Sequence, residues 1–237
     1  MSQLSSFDLS WTLEDQQLMT RAKNYFAWQR RLVLPELGRR VLEIGCGIGN
    51  FTGHLLNREA VIAIDTEPHF IDRIKARYPN QPNLIALVHD AATGLAALKH
   101  YQPDSCVCLN VLEHIEDDRQ ALRDMASAIT PGGAIVLIVP AFPSLSGPID
   151  RKLGHFRRYT RQSLTQTATD AGLSVRKLHY MNMPGFFAWW LNARILHLEA
   201  QSAAQIELFD TLIGPLAARI EKLTPPPLGQ SLFCVLV

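Results

Sequence analysis

Between residues 39 and 141 the chain alternates short apolar runs with stretches of helical spacing, and that alternation leaves few folds open. The runs are RRVLEIG (39–45), AVIAID (60–65), NLIALVHD (83–90), DSCVCLN (104–110) and AIVLIVPA (134–141). Helices are expected at 50–56, at 68–78 with Pro68 in the first turn, and at 116–129. Apolar strands alternating with helices imply a parallel sheet covered on both faces, and the fixed hand of the crossovers makes it doubly wound. The ligand crevice of such a sheet lies outside the carboxyl ends of its strands. Asp65 and Asp90 close the second and third runs at that end.

After Pro143 the pattern changes. A loop (145–160), a helix (161–172) closed by Gly172 and a strand (173–181) come first. Two helices (184–200 and 203–223) and a last strand (230–237) follow. Upstream, residues 14–34 read as one helix. The expected fold is α/β, a doubly wound, mostly parallel seven-stranded sheet (Rossmann-like) with a helical cap inserted between the last two strands. A length of 237 residues fits one domain. Within it, 1–38 would be a helical lid, 39–181 the cofactor-binding core, 182–228 the cap and 229–237 the last strand.

A net charge of +1 provides no overall field to recruit nucleic acid or acidic membrane. The first residues lack a basic segment followed by an apolar core, so no secretory signal is read and a cytoplasmic location is expected. The apolar stretch MPGFFAWWLNARILHL is interrupted by Asn192 and Arg194 and is too short to span a bilayer, so no stable membrane insertion is expected. Cys46, Cys106, Cys108 and Cys234 lack metal-ligand spacing and read as packed thiols, and no metal site is expected.

The first strand runs into Gly45-x-Gly47-x-Gly49. A dinucleotide fingerprint would have glycine at position 50, where Asn50 stands. Glu43, two positions before the first glycine, is a poor neighbour for a pyrophosphate and a good one for a cation. S-adenosylmethionine carries a sulfonium and an amino group and no phosphate, and glycines let backbone approach it closely. Asp65 can accept ribose hydroxyls, a feature that dinucleotide enzymes share. Asp90 is placed to meet an adenine amino group.

VLEIGCGIGN, AIDTEP, HDA, LNVLEHI and PGGAIVLIVP, over about residues 39–140, resemble the successive motifs of class I S-adenosylmethionine-dependent methyltransferases. GHFRRYT, NMPGFFAWWLN and PPPLGQSL resemble a bacterial small-molecule methyltransferase subgroup. The resemblance implies that Gly45, Gly47 and Gly49 line the methionine and ribose, with Asp65 on the ribose. Asp90 with Ala91 would meet the adenine end, and Asn110 and Leu112 would flank the sulfonium. The implied reaction is methyl transfer to a small-molecule acceptor, with S-adenosyl-L-homocysteine as product.

Displacement at a sulfonium has a good leaving group, so proximity and alignment can supply much of the catalysis. A base is needed only where the acceptor must lose a proton. His114 is one candidate, and reads equally as a loop histidine satisfied by backbone. The stretch DRKLGHFRRYT offers His155 and Tyr159 as catalytic or substrate contacts and Arg158 as a substrate contact. Its arginines suit an acceptor with an acidic group, or else form a solvated basic loop. Tyr25 and Trp28 share a helix face and read either as a lid over the cofactor or as core. Asp117 and Asp118 read as helix caps. Three alternatives stand beside the small-molecule reading: a lipid or lipid-linked acceptor at a membrane surface, a nicotinamide-dependent dehydrogenase, and a module that holds S-adenosylmethionine without transferring its methyl. No nucleic-acid partner is expected, and the cap is a candidate homodimer face.

Overall fold

The computed structural model describes residues 9–237. Residues 1–8 of the expected lid, and of the stretch read for a secretory signal, lie outside the described residues. Seven strands form one sheet: β1 (Arg40–Ile44), β2 (Ala60–Asp65), β3 (Leu84–Val88), β4 (Ser105–Leu109), β5 (Ala134–Pro140), β6 (Val175–Met181) and β7 (Ser231–Leu236). Their order is β3-β2-β1-β4-β5-β7-β6, with β1 to β5 parallel and β7 antiparallel to both of its neighbours. Strand order reverses between β1 and β4, which places the crevice of a doubly wound sheet there.

Both faces of the sheet are covered. Val41, Val61, Val107 and Val136 enter one core cluster, while Leu42, Ile62, Cys106 and Ile135 enter the other. Each strand thus feeds both layers alternately. Glu43 breaks the apolar pattern of β1 beside Ala63 on β2 and Val107 on β4. All four cysteines are free and buried, and burial pushes their thiols up.

Several helices differ from expectation, each for a local reason. The helix expected over 14–34 is two, α1 (Leu9–Met19) and α2 (Lys23–Val33). Asp210 accepts the backbone N–H groups of Asn24 (3.0 Å) and Tyr25 (2.8 Å). An unbroken helix would spend those donors on the carbonyls of residues 20 and 21. A buried carboxylate from the far end of the chain therefore serves as the start of α2, where the helix dipole favours it. The helix expected at 50–56 is one short 3-10 turn, Thr52–His54. Gly53 disfavours a helix there, and little chain remains before β2.

α3 (Pro68–Arg77), α4 (Asp118–Ala128) and α6 (Arg161–Asp170) fall where expected, and the loop 145–160 also holds a short helix, α5 (Pro148–Lys152). Between β6 and β7 the chain forms α7 (Met183–Leu191), a π-helical turn (Asn192–Leu196), α8 (Ala203–Leu208), a second π-helical turn (Phe209–Ile213) and α9 (Gly214–Leu223). The first of the two expected helices stops early, at His197 in the left-handed region. The second widens just before Pro215, whose ring clashes with the carbonyl four residues back and whose nitrogen donates nothing. Among the described residues no helix is long and apolar enough to cross a membrane.

Replacing Asp210 by Ala leaves Asn24 and Tyr25 without their acceptor. It is expected to cost about 1–3 kcal/mol of stability, read by chemical denaturation. An unchanged midpoint would mean that α2 does not depend on this carboxylate.

Candidate active site

The carboxyl ends of β1, β2 and β4 open into one cavity of about 1060 Å³. That is large for a pocket of drug-sized contents and has room for two small molecules side by side. The glycine turn forms its floor. Gly45, Gly47 and Gly49 all have positive φ, at 67°, 52° and 85°. The turn is held from both sides. Asp65 accepts the Gly47 N–H at 2.8 Å through one carboxylate oxygen and the Glu67 N–H at 3.1 Å through the other. From α1, the Gln16 side chain accepts the Ile48 N–H at 2.8 Å, and Asn50 donates to the Gln16 carbonyl at 2.9 Å. A Cβ at Gly47 would lie 2.2 Å from the Gln16 side-chain oxygen and displace that side chain, and the positive φ there favours glycine in any case.

Glu43 lies beneath the turn, 4% exposed, and one of its oxygens has no hydrogen-bond partner. Burial pushes its carboxyl up to about 8; Thr52 pulls it down and Asp65 pushes it further up. A buried carboxyl oxygen without a partner is costly, and a cationic donor would offset that cost most. The lining as a whole has the same bias. Eight carboxylate side chains line the cavity, against one arginine and no lysine among the described residues. An anionic pyrophosphate meets repulsion there, and an ammonium or sulfonium meets attraction.

The residues expected around the donor divide in two. Tyr25, Glu43, Gly45, Gly47, Asp65, Asp90, Ala91 and Asn110 all line the cavity. Asn110 takes a left-handed φ of 53° and donates its N–H to the Ile138 carbonyl, which turns the chain at the end of β4. Asp90 is exposed and accepts the Ala92 N–H at 2.8 Å. Gly49 and Leu112 do not line the cavity. Gly49 faces Ile74 and Tyr78, and Leu112 is fully buried in the core beneath the site. Trp28 is likewise core, whereas its helix neighbour Tyr25 reaches the cavity wall. The element closing over the glycines is α1.

The far end of the cavity holds the expected chemistry-bearing residues in a different arrangement. His155 lies against Asp150, Nδ1 to Oδ1 at 3.0 Å, and its Nε2 stands 4.0 Å from Glu113. The His114 ring lies edge-on to the His155 ring, centroids 4.6 Å apart. Burial and the neighbouring His155 push His114 down to about 3, so it is neutral. Glu113 is fully buried with both carboxylate oxygens unpartnered. Burial pushes it up to about 7, against the pull of His155 and Arg158.

Two candidates make contacts within the protein. Tyr159 does not reach the cavity; its hydroxyl donates to Asp118 at 2.9 Å in the core. Asp118 therefore holds Tyr159 and Arg157, and Asp117 alone caps α4, accepting the Gln120 N–H. Arg158 lines the cavity, but its Nε is 2.6 Å from Asp150, its Nη1 donates to the Ala141 carbonyl, and its plane lies over Trp189. Its charge is already matched by Asp150. The expectation of no metal site rested on cysteine spacing. It did not anticipate that Glu113, His114 and His155 would meet. Gln16, Asp150 and Asp210 were also missed. Asp150 carried a readable signal as the single acid heading a basic stretch, whereas Gln16 and Asp210 act only through contacts distant in sequence.

Residues 42–137 match the family model described as a methyltransferase domain. An uncharacterized methyltransferase of Mycobacterium bovis is 35% identical over 106 residues, 44% of this chain and 52% of that protein. The match thus spans about half the length of that relative. An S-adenosylmethionine-dependent methyltransferase from Mesorhizobium loti superposes with a TM-score of 0.58 at 17% identity, covering 88% of this chain and 95% of the other. An O-methyltransferase from neocarzinostatin biosynthesis, solved in complex with S-adenosylmethionine and 2-hydroxy-5-methyl naphthoic acid, superposes at 0.54 with 17% identity, covering 84% and 48%.

Glu43 gives the site a pH signature. Its folded carboxyl, near 8, lies above the unfolded value, so the native state holds the proton longer. Stability from this group is full below about pH 4 and falls as pH rises to 8. Glu43→Gln is expected to flatten that fall by on the order of a few kcal/mol between pH 5 and 8. Parallel denaturation profiles of the two proteins would contradict it.

Proposed function

We propose that the chain is a class I S-adenosylmethionine-dependent methyltransferase that methylates a small organic acceptor held in the same cavity as the donor. The observation that carries this reading is the buried, unpartnered oxygen of Glu43 in an acid-lined crevice at the glycine turn. In this reading Glu43 receives the donor's amino group, and Gly45 and Gly47 face its methionine part. Asp65 keeps capacity beyond its two backbone bonds to accept ribose hydroxyls. Asp90 and Ala91 lie toward the adenine, Asn110 toward the sulfonium, and Tyr25 walls the cofactor. Gly49 and Leu112 support the turn and the loop from behind.

S-adenosylmethionine supplies an activated methyl group. A lone pair of the acceptor attacks the methyl carbon in line. The carbon–sulfur bond breaks with its electron pair remaining on sulfur, giving neutral S-adenosylhomocysteine, and any proton lost by the acceptor passes to a nearby base or water. The chain's contribution is chiefly to hold the two reactants aligned and to exclude water. His114, His155 and Glu113 sit at the acceptor end. The O-methyltransferase from neocarzinostatin biosynthesis, solved in complex with S-adenosylmethionine and 2-hydroxy-5-methyl naphthoic acid, shares this fold.

A second reading keeps the donor and gives the acceptor an apolar tail. Leu191, Leu196, Leu208 and Ile213 line the cavity and are also exposed, so its mouth continues onto an apolar outer face. Phe187, Trp190, Leu212, Leu216 and Ile220 extend that face. The helices between β6 and β7 thus turn much of their apolar surface outward, not only over the pocket. If the tail matters, long-chain acceptors turn over faster than truncated analogues; equal turnover contradicts it.

The donor reading is tested by calorimetry at pH 7 in two buffers of different ionisation enthalpy. S-adenosylmethionine is expected to bind with release of about one proton, as its cation ionises Glu43, and NAD to give no saturable heat. Binding of NAD alone, or donor binding without proton release, contradicts it. A metabolite screen read by S-adenosylhomocysteine release identifies the acceptor.

A further inference from the structure

Resting on the methyl-transfer reading, we propose that Glu113, His114 and His155 form a binding site for one divalent transition-metal ion of the zinc class, set beside the acceptor. One ligand atom from each lies within 4.8 Å of the other two. Glu113 makes the strongest case. It is fully buried, and neither carboxylate oxygen has a hydrogen-bond partner in the protein. Leaving both oxygens of a buried carboxyl without a hydrogen-bond partner is costly, and native structures rarely do so without a ligand or water to complete it.

The histidines are oriented for the same task. Asp150 holds His155 through Nδ1 and leaves Nε2 directed to Glu113. A carboxylate behind an imidazole, fixing its tautomer and ring plane, is the usual support of a metal-ligating histidine. Arg158 pairs with that carboxylate at 2.6 Å, so no uncompensated cation stands against an incoming ion. His114 supplies the third corner, its ring perpendicular to that of His155.

Two imidazoles and one carboxylate suit zinc, or iron, manganese and cobalt in the divalent state, better than magnesium or calcium, which prefer all-oxygen sets. Tetrahedral ligand atoms 2.0–2.1 Å from a shared zinc ion sit about 3.4 Å apart. The widest separation here must therefore close by roughly 1–1.5 Å, within reach of side-chain rotation. All three residues line the cavity, so positions left open on the ion face the acceptor space. There the ion would hold an acceptor oxygen or nitrogen beside the methyl group and make it easier to deprotonate.

The test loads metal-stripped full-length protein with Zn2+ or Co2+ under equilibrium dialysis, without donor or acceptor. One ion per chain is expected. Glu113→Gln and His155→Gln should each weaken binding at least about tenfold, while His100→Ala, at an exposed histidine, leaves it unchanged. On the wild-type chain, diamagnetic Zn2+ should shift the imidazole proton resonances of two of the eight histidines, a readout that needs no variant. No stoichiometric uptake, uptake insensitive to both variants, or shifts at other histidines overturns the site. The cluster would then act at most as a metal-free base. Calorimetry of the stripped protein with S-adenosylmethionine is scored separately. Intact donor binding with no metal uptake removes only the metal, and metal uptake without donor binding removes the methyl-transfer reading.

Discussion

The carboxylate of Asp65 on the backbone of the glycine turn is the contact on which the site is built. It reaches from the end of β2 to the N–H of Gly47, just beyond β1, and accepts the Glu67 N–H with its other oxygen. Three left-handed residues in five positions cost backbone entropy and offer few internal hydrogen bonds. A neighbouring strand that supplies the acceptor, and a helix that supplies another through Gln16, convert a floppy segment into a defined floor. Glu43 is buried by the same arrangement. It has room at the sheet because Ala63 stands beside it, and one of its oxygens has no hydrogen-bond partner.

Electrostatics then bias the crevice. A crevice whose walls carry many carboxylates and a single, already paired arginine is tuned for positive charge. The same glycine spacing could serve a dinucleotide on another chain, so the backbone alone does not discriminate. The surrounding acids do. Toward the acceptor end the bias changes character, from carboxylates around an open turn to a buried cluster of two imidazoles and Glu113, braced by Asp150 and Arg158. The two ends of the one cavity are thus chemically distinct.

Much of this was legible in the residues. Apolar runs of fixed order predicted the sheet, and Gly45, Gly47, Glu43 and Asp65 marked the crevice, because strand ends and left-handed turns leave local signatures. What was not legible depends on partners distant in sequence. Nothing near Thr20 announces that Asp210 will split one helix into two. Leu112 and Tyr159 sit within suggestive motifs, yet one fills the core and the other holds Asp118. A motif specifies that a loop is built, not which of its side chains face the ligand. Glu113 is the converse case, a charge inside an apolar run whose neighbours in space come from α5 and the loop that follows it.

The central claim is that the crevice between β1 and β4 receives a cationic sulfonium nucleoside. A crystal structure of the protein grown with S-adenosylmethionine tests it most directly. Density for the ligand across the glycine turn is predicted, with its amino group within hydrogen-bond distance of Glu43 and its ribose at Asp65. Ligand density elsewhere on the molecule, or a crevice without ligand at saturating concentration, would contradict it.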